Sequence, residues 1–162
     1  MTSPQIHLML NHLPVVGLLF VVVVLVAGLV SRNDAILRLA FLSIVACALA
    51  AIPVFLSGEP AEERVEHLAG VSESAIERHE DVAKAVTFGL EVLGLAAVAV
   101  LLRSRGRRIP IGLAAAFLAA TLAWSGLLAW TAHLGGLVRH SEIASPVAAG
   151  GPAAPIAEPD ED

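Results

Sequence analysis

Charge, cysteine and familiar catalytic motifs are all scarce in this chain. Of its 162 residues, 15% are charged and one is a cysteine, Cys47, which lies inside an apolar run. A single cysteine excludes a disulfide framework, a CxxC redox pair and a CxxCH haem attachment site. The sequence also lacks a glycine-rich phosphate loop, a GxSxG elbow and an HExxH zinc helix. An isoelectric point of about 5.6 argues against nucleic acid as a partner.

Apolar residues dominate instead, at 57% of the chain with a mean hydropathy of +0.80. Such values are typical of membrane proteins. The long apolar runs are residues 13–30, 35–56, 82–102 and 109–132, and each approaches the ~20 residues that span a hydrocarbon core. We therefore predict an all-α integral membrane four-helix bundle over residues 1–142. Residues 143–162 are rich in alanine, proline and terminal acid, which predicts a disordered acidic tail.

The arginines indicate how these spans are oriented. Most of them flank the connections between spans one and two and between spans three and four: Arg32, Arg38, Arg103, Arg105, Arg107 and Arg108. Short loops rich in arginine and lysine usually stay in the cytoplasm. We therefore expect a multi-pass protein of the bacterial inner membrane with both termini in the periplasm. Residues 1–13 contain no lysine or arginine, so we expect the first run to be retained rather than cleaved as a signal peptide.

This threading brings all six histidines to the face opposite the arginine loops, together with most of the acidic residues. Imidazole and carboxylate without thiolate suit iron, zinc, copper or manganese. We predict a transition-metal site at this outer face, with ligands drawn from His12, His79, His133, His140, Glu63 and Glu80. Residues expected to orient those ligands or lie beside them are His7, Asn11, His67, Glu66 and Glu142. The sequence does not identify a substrate, so catalysis stays open.

Local signals place these residues on particular elements. Ser3-Pro4 predicts a helix start, and Pro14 predicts a kink just below His12. After a helix end at Ser57-Gly58, Pro60 predicts a short surface helix that runs to His67-Leu68, with Glu63 and His67 on one side.

Two further signals concern the third and fourth spans. Ser74 and Glu77 have capping-box spacing at the start of the third long helix. Gly135-Gly136 is expected to loosen or break the fourth helix. If the helix persists, His133 and His140 share one side about 10 Å apart; if it breaks, His140 folds over the mouth of the bundle.

Several of these residues form a recognisable pattern. Residues 7–14 read HxxxxHxP, a histidine opens the third span, and the fourth span ends in His133-Leu-Gly-Gly136. Over roughly Ile6 to Glu142 the chain resembles an uncharacterised bacterial four-span membrane family, a domain of unknown function. The resemblance implies the fold and topology rather than an activity.

Two other functions remain open beside the metal site. A b-type haem held by two histidines, such as His12 with His79 or His133, would make the chain an electron-transfer subunit. Gly and Ala in the third and fourth spans leave room for a macrocycle, although they also serve helix packing in lipid. Alternatively, the acidic, histidine-rich rim is a docking or pH-sensing surface of a non-catalytic subunit. Besides the lipid bilayer, the expected partners are a larger membrane redox complex or further copies of the chain.

One carboxylate lies deep in the membrane. Glu91 is near the middle of the third span, on the same side as Glu80 and Thr87, about 16 Å below Glu80. A charged carboxylate facing lipid costs ~2.5 kcal/mol or more, so Glu91 is expected to face the bundle interior. We consider two roles equally: a proton relay with Thr87, or an interhelical hydrogen bond to Ser43, Thr121 or Ser125.

Overall fold

The structure is a computed structural model that describes residues 2–68 and 71–139. Its helices are α1 (Ser3–Leu10), α2 (His12–Ser31), α3 (Asp34–Leu56), α4 (Gly58–Glu62), α5 (Glu73–Arg103) and α6 (Ile111–Arg139). His140, Glu142 and the predicted tail lie outside the described residues.

The long helices α2, α3, α5 and α6 form a closed bundle. Each packs against the next along the chain, and α6 returns to pack against α2. The core is aliphatic and aromatic, and at its centre the rings of Phe41 and Phe117 lie 4.6 Å apart between centroids. The predicted all-α four-helix bundle is therefore confirmed.

The two ends of this bundle differ in chemistry. We call one end the arginine face, which comprises the α2–α3 and α5–α6 connections with Arg32, Arg38, Arg103, Arg105, Arg107 and Arg108. We call the other the histidine face, which comprises α1, α4, the start of α5 and the end of α6 with His7, His12, His67, His79 and His133.

The outward surface of the bundle is apolar. Val30 is 81% exposed, Phe88 73% and Leu95 70%, and many other large apolar side chains also point away from the core. Among the described residues, four helical segments are long and apolar enough to cross a membrane, with α1 and α2 counted as one. In water such a surface would aggregate, whereas lipid solvates it. The chain is therefore a multi-pass membrane protein.

Small residues let the helices approach closely. A Cβ added to Gly94 would lie 2.5 Å from Cβ of Ala48, and one added to Gly89 would lie 2.0 Å from Cζ2 of Trp124. The indole of Trp124 also donates from Nε1 to the carbonyl of Val86, at 3.1 Å. Close approach of this kind is how helices associate in lipid. At these positions the small residues serve packing and leave no gap for a macrocycle.

The arginine face is tied together by a polar clamp centred on Asp34. Its Oδ2 lies 2.6 Å from Nε of Arg38, and its Oδ1 accepts from the backbone N–H of Ile109 at 2.7 Å. Nη2 of Arg38 donates to the carbonyls of Ser104, at 2.7 Å, and Arg107, at 2.6 Å. The start of α3 thereby holds the connection between α5 and α6 in place.

The first helix begins at Ser3, one residue earlier than the prediction of Ser3 as N-cap, and its interruption lies at Asn11 rather than at Pro14. Thr2 caps α1, and its backbone N–H donates to the side chain of Gln5 at 3.0 Å. Proline has no N–H to offer the carbonyl four residues earlier and disfavours helical backbone in the residue before it. Pro14 therefore interrupts the helix in the turn before it, at Asn11.

The surface helix between the second and third spans is shorter than predicted. It ends at Glu62, with Glu63 as its C-cap, and turns follow. The predicted shared side of Glu63 and His67 is consequently wrong. The backbone N–H groups of Val65 and Glu66 both donate to the carbonyl of Glu62, at 2.8 and 3.0 Å, so the chain passes into turns instead of a regular helix.

Two further helix boundaries bear on the sequence predictions. Ser72 precedes α5 as its N-cap, so Ser74 lies inside the first turn and the predicted capping box is not formed. Helix α6 continues through Gly135 and Gly136 to Arg139, so of the two alternatives left open by the sequence the helix persists rather than breaks. Packing explains its continuity, because the backbone at Gly135 lies against the ring of His79.

Candidate functional site

His7 is anchored to the end of α3. Its half-buried ring places Nδ1 3.1 Å from the carbonyl oxygen of Val54 and 3.1 Å from Oγ of Ser57. The Ser57 hydroxyl itself donates to the Val54 carbonyl at 2.8 Å. Ser57 directly follows α3, where the last carbonyls of the helix have no partner within it. Helix α1 therefore docks on α3 through this imidazole.

His79 makes the equivalent contact between α5 and α6. Its half-buried ring places Nδ1 3.0 Å from the carbonyl oxygen of Thr131. The Thr131 hydroxyl bonds within its own helix, to the carbonyl of Leu127 at 2.9 Å. A Cβ on Gly135 would lie 3.1 Å from Cε1 of His79, so glycine at that position leaves room for the ring.

These contacts define the tautomer of both rings. A carbonyl oxygen can only accept, so Nδ1 of His7 and Nδ1 of His79 must each carry a proton. In the neutral ring Nε2 then keeps its lone pair. The two imidazoles lie close enough to interact electrostatically. Each thus combines an Nδ1–H···O=C bond with an available Nε2, which is the arrangement that orients histidine ligands in metal sites.

The other predicted histidine ligands are placed differently. His12 is exposed, and its Nδ1 lies 2.7 Å from the carbonyl of Leu8, where it completes the interrupted turn between α1 and α2. His133 is also exposed and lies beside Trp130, with 5.6 Å between ring centroids. Of the histidines in the opening motif, it is therefore His7, predicted only as a supporting residue, that lies near His79.

The predicted carboxylate ligands are engaged elsewhere or exposed. Glu80 forms an ion pair with Lys84, at 2.7 Å, and Glu63 is an exposed C-cap. Within residues 2–68 and 71–139, no three His, Cys, Asp or Glu side chains come together as a group that could hold a metal ion. The six-residue ligand set is therefore not assembled in that part of the chain, and His140 lies outside it.

A cluster of carboxylates surrounds α4 at this face. Partial burial, followed by the nearby charges of Glu80 and Glu66, raises the pKa of Glu62 above its ordinary value. His67 is exposed and pairs only with Glu66, at 3.1 Å. Asn11 is half-buried and makes no side-chain cap at the start of α2. The carboxylates thus contribute negative potential at this face, and among the described residues none of them is hydrogen-bonded to His7 or His79.

Glu91 lies inside the bundle with an unpaired oxygen. Its Oε1 is buried and has no hydrogen-bond partner in the described part of the chain. The expected interhelical bond is not formed, because each predicted donor bonds within its own helix: Ser43 to Leu39, Thr121 to Phe117 and Ser125 to Thr121. Hydroxyls in membrane helices readily satisfy themselves in this way. Thr87 is half-buried and contributes no hydrogen bond to the site.

Together these features define a membrane-embedded four-helix bundle that carries two backbone-oriented imidazoles at one face. A family model described as "Predicted membrane protein (DUF2231)" matches residues 3–142. The chain belongs to this family, as the sequence motifs indicated. No curated protein and no solved structure matches it.

Proposed function

We propose that this membrane protein binds a transition-metal centre at its histidine face, for redox chemistry or metal handling, through Nε2 of His7 and Nε2 of His79. One observation carries the proposal: two half-buried imidazoles from different helices each donate Nδ1–H to a main-chain carbonyl. This bond fixes the tautomer and increases the basicity of the other ring nitrogen. Iron, zinc, copper and manganese all accept imidazole ligands.

Further ligands of a mononuclear ion would come from the remaining residues of the sequence prediction. His12, His133 and Glu80 belong to the same face, and each would have to change its side-chain conformation to join the pair as a ligand. His140 and Glu142 follow α6 directly in the sequence. The carboxylates around Glu62 favour a cation at this face through their negative potential.

A second candidate is a b-type haem, which is favoured by the number of oriented histidines. Two axial imidazoles complete the coordination of haem iron, so the pair requires no third protein ligand. Side chains of neighbouring helices occupy the space beside Gly89 and Gly94, so the macrocycle would lie at the histidine face rather than between the spans. The chain would then transfer electrons within a larger membrane redox complex.

The orientation of the protein follows from the arginine face in this proposal. Arginine-rich loops remain in the cytoplasm, so the histidine face and both termini lie in the periplasm of a bacterial inner membrane. The metal centre would then exchange metal or electrons with periplasmic partners.

The test is an ultraviolet-visible spectrum and elemental analysis of protein purified in detergent without chelators. The variants are His7→Ala and His79→Ala, with His67→Ala as the matched control because that ring is exposed. A Soret band supports the haem, and a stoichiometric metal without that band supports the mononuclear site. Either signal should be lost in both test variants, kept in the control, and partly restored by added imidazole.

Two results would count against the proposal. If neither haem nor metal accompanies the wild-type protein, a docking or pH-sensing role for the acidic rim becomes the better account. If a metal is present but survives both substitutions, the ligands are other residues.

Glu91 has a place in this proposal as a proton-carrying group between the metal centre and the membrane interior. Its buried, unpartnered oxygen lies on the same side of α5 as Glu80. If it carries protons, Glu91→Gln should reduce proton uptake on reduction of the centre, measured with a pH-indicator dye. Unchanged uptake would instead indicate a structural carboxyl.

A further inference from the structure

The arginine face contains a groove that is lined by both basic and apolar residues. The groove has a volume of about 340 Å³ and lies between the end of α5 and the start of α6. Arg103, Arg107 and Arg108 supply its basic lining, and the residues of its apolar side include Val100 and Leu113. Because it lies where these spans end, the groove faces the headgroup layer and the upper acyl chains of the bilayer.

None of the groove arginines forms an ion pair within the described residues, although the charge of Asp34 acts on Arg108. In the part of the chain that the structure describes, the ion pairs are Arg38 with Asp34, His67 with Glu66 and Lys84 with Glu80. Asp34 is the one acidic residue of the two connections at this face, and it is occupied by Arg38 and the backbone of Ile109. The three groove arginines therefore have guanidinium donors available for an external anion.

The backbone of the groove is held before any ligand arrives. Arg38 donates to the carbonyls of Ser104 and Arg107, so the loop that carries two of the arginines is fastened to α3. Binding then does not require this loop to be ordered first, and preorganisation of that kind increases affinity. The planar guanidinium group matches the geometry of phosphate through paired N–H donors.

We propose that this groove is a binding site for the phosphate group of an anionic phospholipid. The arginines would hold the phosphodiester, and the apolar side would receive the start of an acyl chain. Free phosphate is also an anion, but it has no apolar part that would contact Val100 and Leu113. The apolar side and the membrane-facing position thus favour the lipid source.

The experiment is native mass spectrometry of the detergent-purified protein titrated with phosphatidylglycerol or with zwitterionic phosphatidylcholine. The wild type should retain phosphatidylglycerol saturably and in preference to phosphatidylcholine. The triple variant R103Q/R107Q/R108Q should bind phosphatidylglycerol about tenfold more weakly or worse, because charge-assisted contacts to phosphate are lost. Arg105→Gln is the matched control, since Arg105 belongs to the same loop but lines a different groove, and its binding should equal that of the wild type.

A second variant distinguishes the contribution of guanidinium geometry to lipid binding from that of net charge. R103K/R107K/R108K keeps the net charge but lacks the planar fork, so its retention should fall between that of the wild type and that of the glutamine variant. Wild-type retention in either triple variant overturns the proposal, as does equal binding of the two lipids. Displacement of phosphatidylglycerol by an equimolar amount of inorganic phosphate would assign the site to free phosphate instead. Far-ultraviolet circular dichroism of each variant verifies that the bundle is folded.

Discussion

Gly135 and Gly136 are neighbours in the last turns of α6, yet an added methyl group would meet different surroundings at each. At Gly135 the new Cβ would lie 3.1 Å from Cε1, 3.4 Å from Nδ1 and 3.5 Å from Nε2 of His79. At Gly136 no atom of residues 2–68 or 71–139 lies within 4 Å of the new Cβ. The pair of variants Gly135→Ala and Gly136→Ala therefore isolates the contact with the His79 ring.

The expected change in the free energy of unfolding results from two opposing contributions. Alanine is preferred to glycine inside a helix by up to about 1 kcal/mol, and both variants gain this term. In Gly135→Ala the imidazole must also move by a few tenths of an ångström, which lengthens its 3.0 Å contact with the Thr131 carbonyl. Such a hydrogen bond contributes about 0.5–1.5 kcal/mol. Gly136→Ala should thus be stabilised, whereas Gly135→Ala should be close to neutral or destabilised.

The assay is equilibrium unfolding of the purified protein in mixed micelles of increasing dodecyl sulfate content, followed by far-ultraviolet circular dichroism. We expect a difference of about 1 kcal/mol between the two variants. Metal or haem content, measured on the same samples, should fall in Gly135→Ala and stay unchanged in Gly136→Ala, because only the first change moves a proposed ligand. Equal stability and equal cofactor content in both variants would refute the contact and the role given to His79.

Three further outcomes are expected in the same unfolding assay. Asp34→Ala should lower the free energy of unfolding by about 2–4 kcal/mol, because it leaves the backbone N–H of Ile109 unpaired and removes the ion pair with Arg38. Glu73→Ala is the control: Glu73 is the first residue of α5, as Asp34 is of α3, and its replacement should lower the free energy of unfolding much less. Gly89→Ala should cost about 1–3 kcal/mol, because the added Cβ would lie only 2.0 Å from Cζ2 of Trp124. Gly126→Ala, whose added Cβ would meet no atom of the described residues within 4 Å, should not destabilise the bundle. Glu62→Gln should increase stability at neutral pH, because the charged form of Glu62 is unfavourable in the folded state. The pKa of Glu62 is raised in the folded protein, so the folded state binds this proton more tightly than the unfolded state does. The free energy of unfolding of the wild type should therefore rise as the pH falls through that pKa. A wild-type pH profile that the substitution leaves unchanged would contradict this account.

The membrane fold could be predicted from the sequence because it depends on local composition. The apolar run at residues 13–30 became α2, His12–Ser31, and the run at 35–56 became α3, Asp34–Leu56. A bilayer sets the length of each run, and every spanning backbone must satisfy its own hydrogen bonds as a helix. Placement of the histidines at one face followed in turn from the number and direction of the spans.

Local signals were less successful where another interaction competed with them. Gly135-Gly136 is a helix-breaking pair by propensity, but α6 continues because its backbone packs against His79. The surface helix was expected to reach His67 and ends at Glu62, whose carbonyl accepts from both Val65 and Glu66 and closes a turn instead. The apolar pattern contains neither of these effects.

Only the tertiary structure decided which imidazoles at this face are oriented by main-chain carbonyls. The HxxxxHxP motif contains both His7 and His12, and from the sequence we predicted His12 as a ligand and His7 only as a supporting residue. Contact between His7 and the end of α3, and between His79 and Thr131, depends on the rotation of each helix about its axis and on the depth at which it packs. Those two quantities are set by how side chains of different helices interlock, which no single segment of the sequence determines.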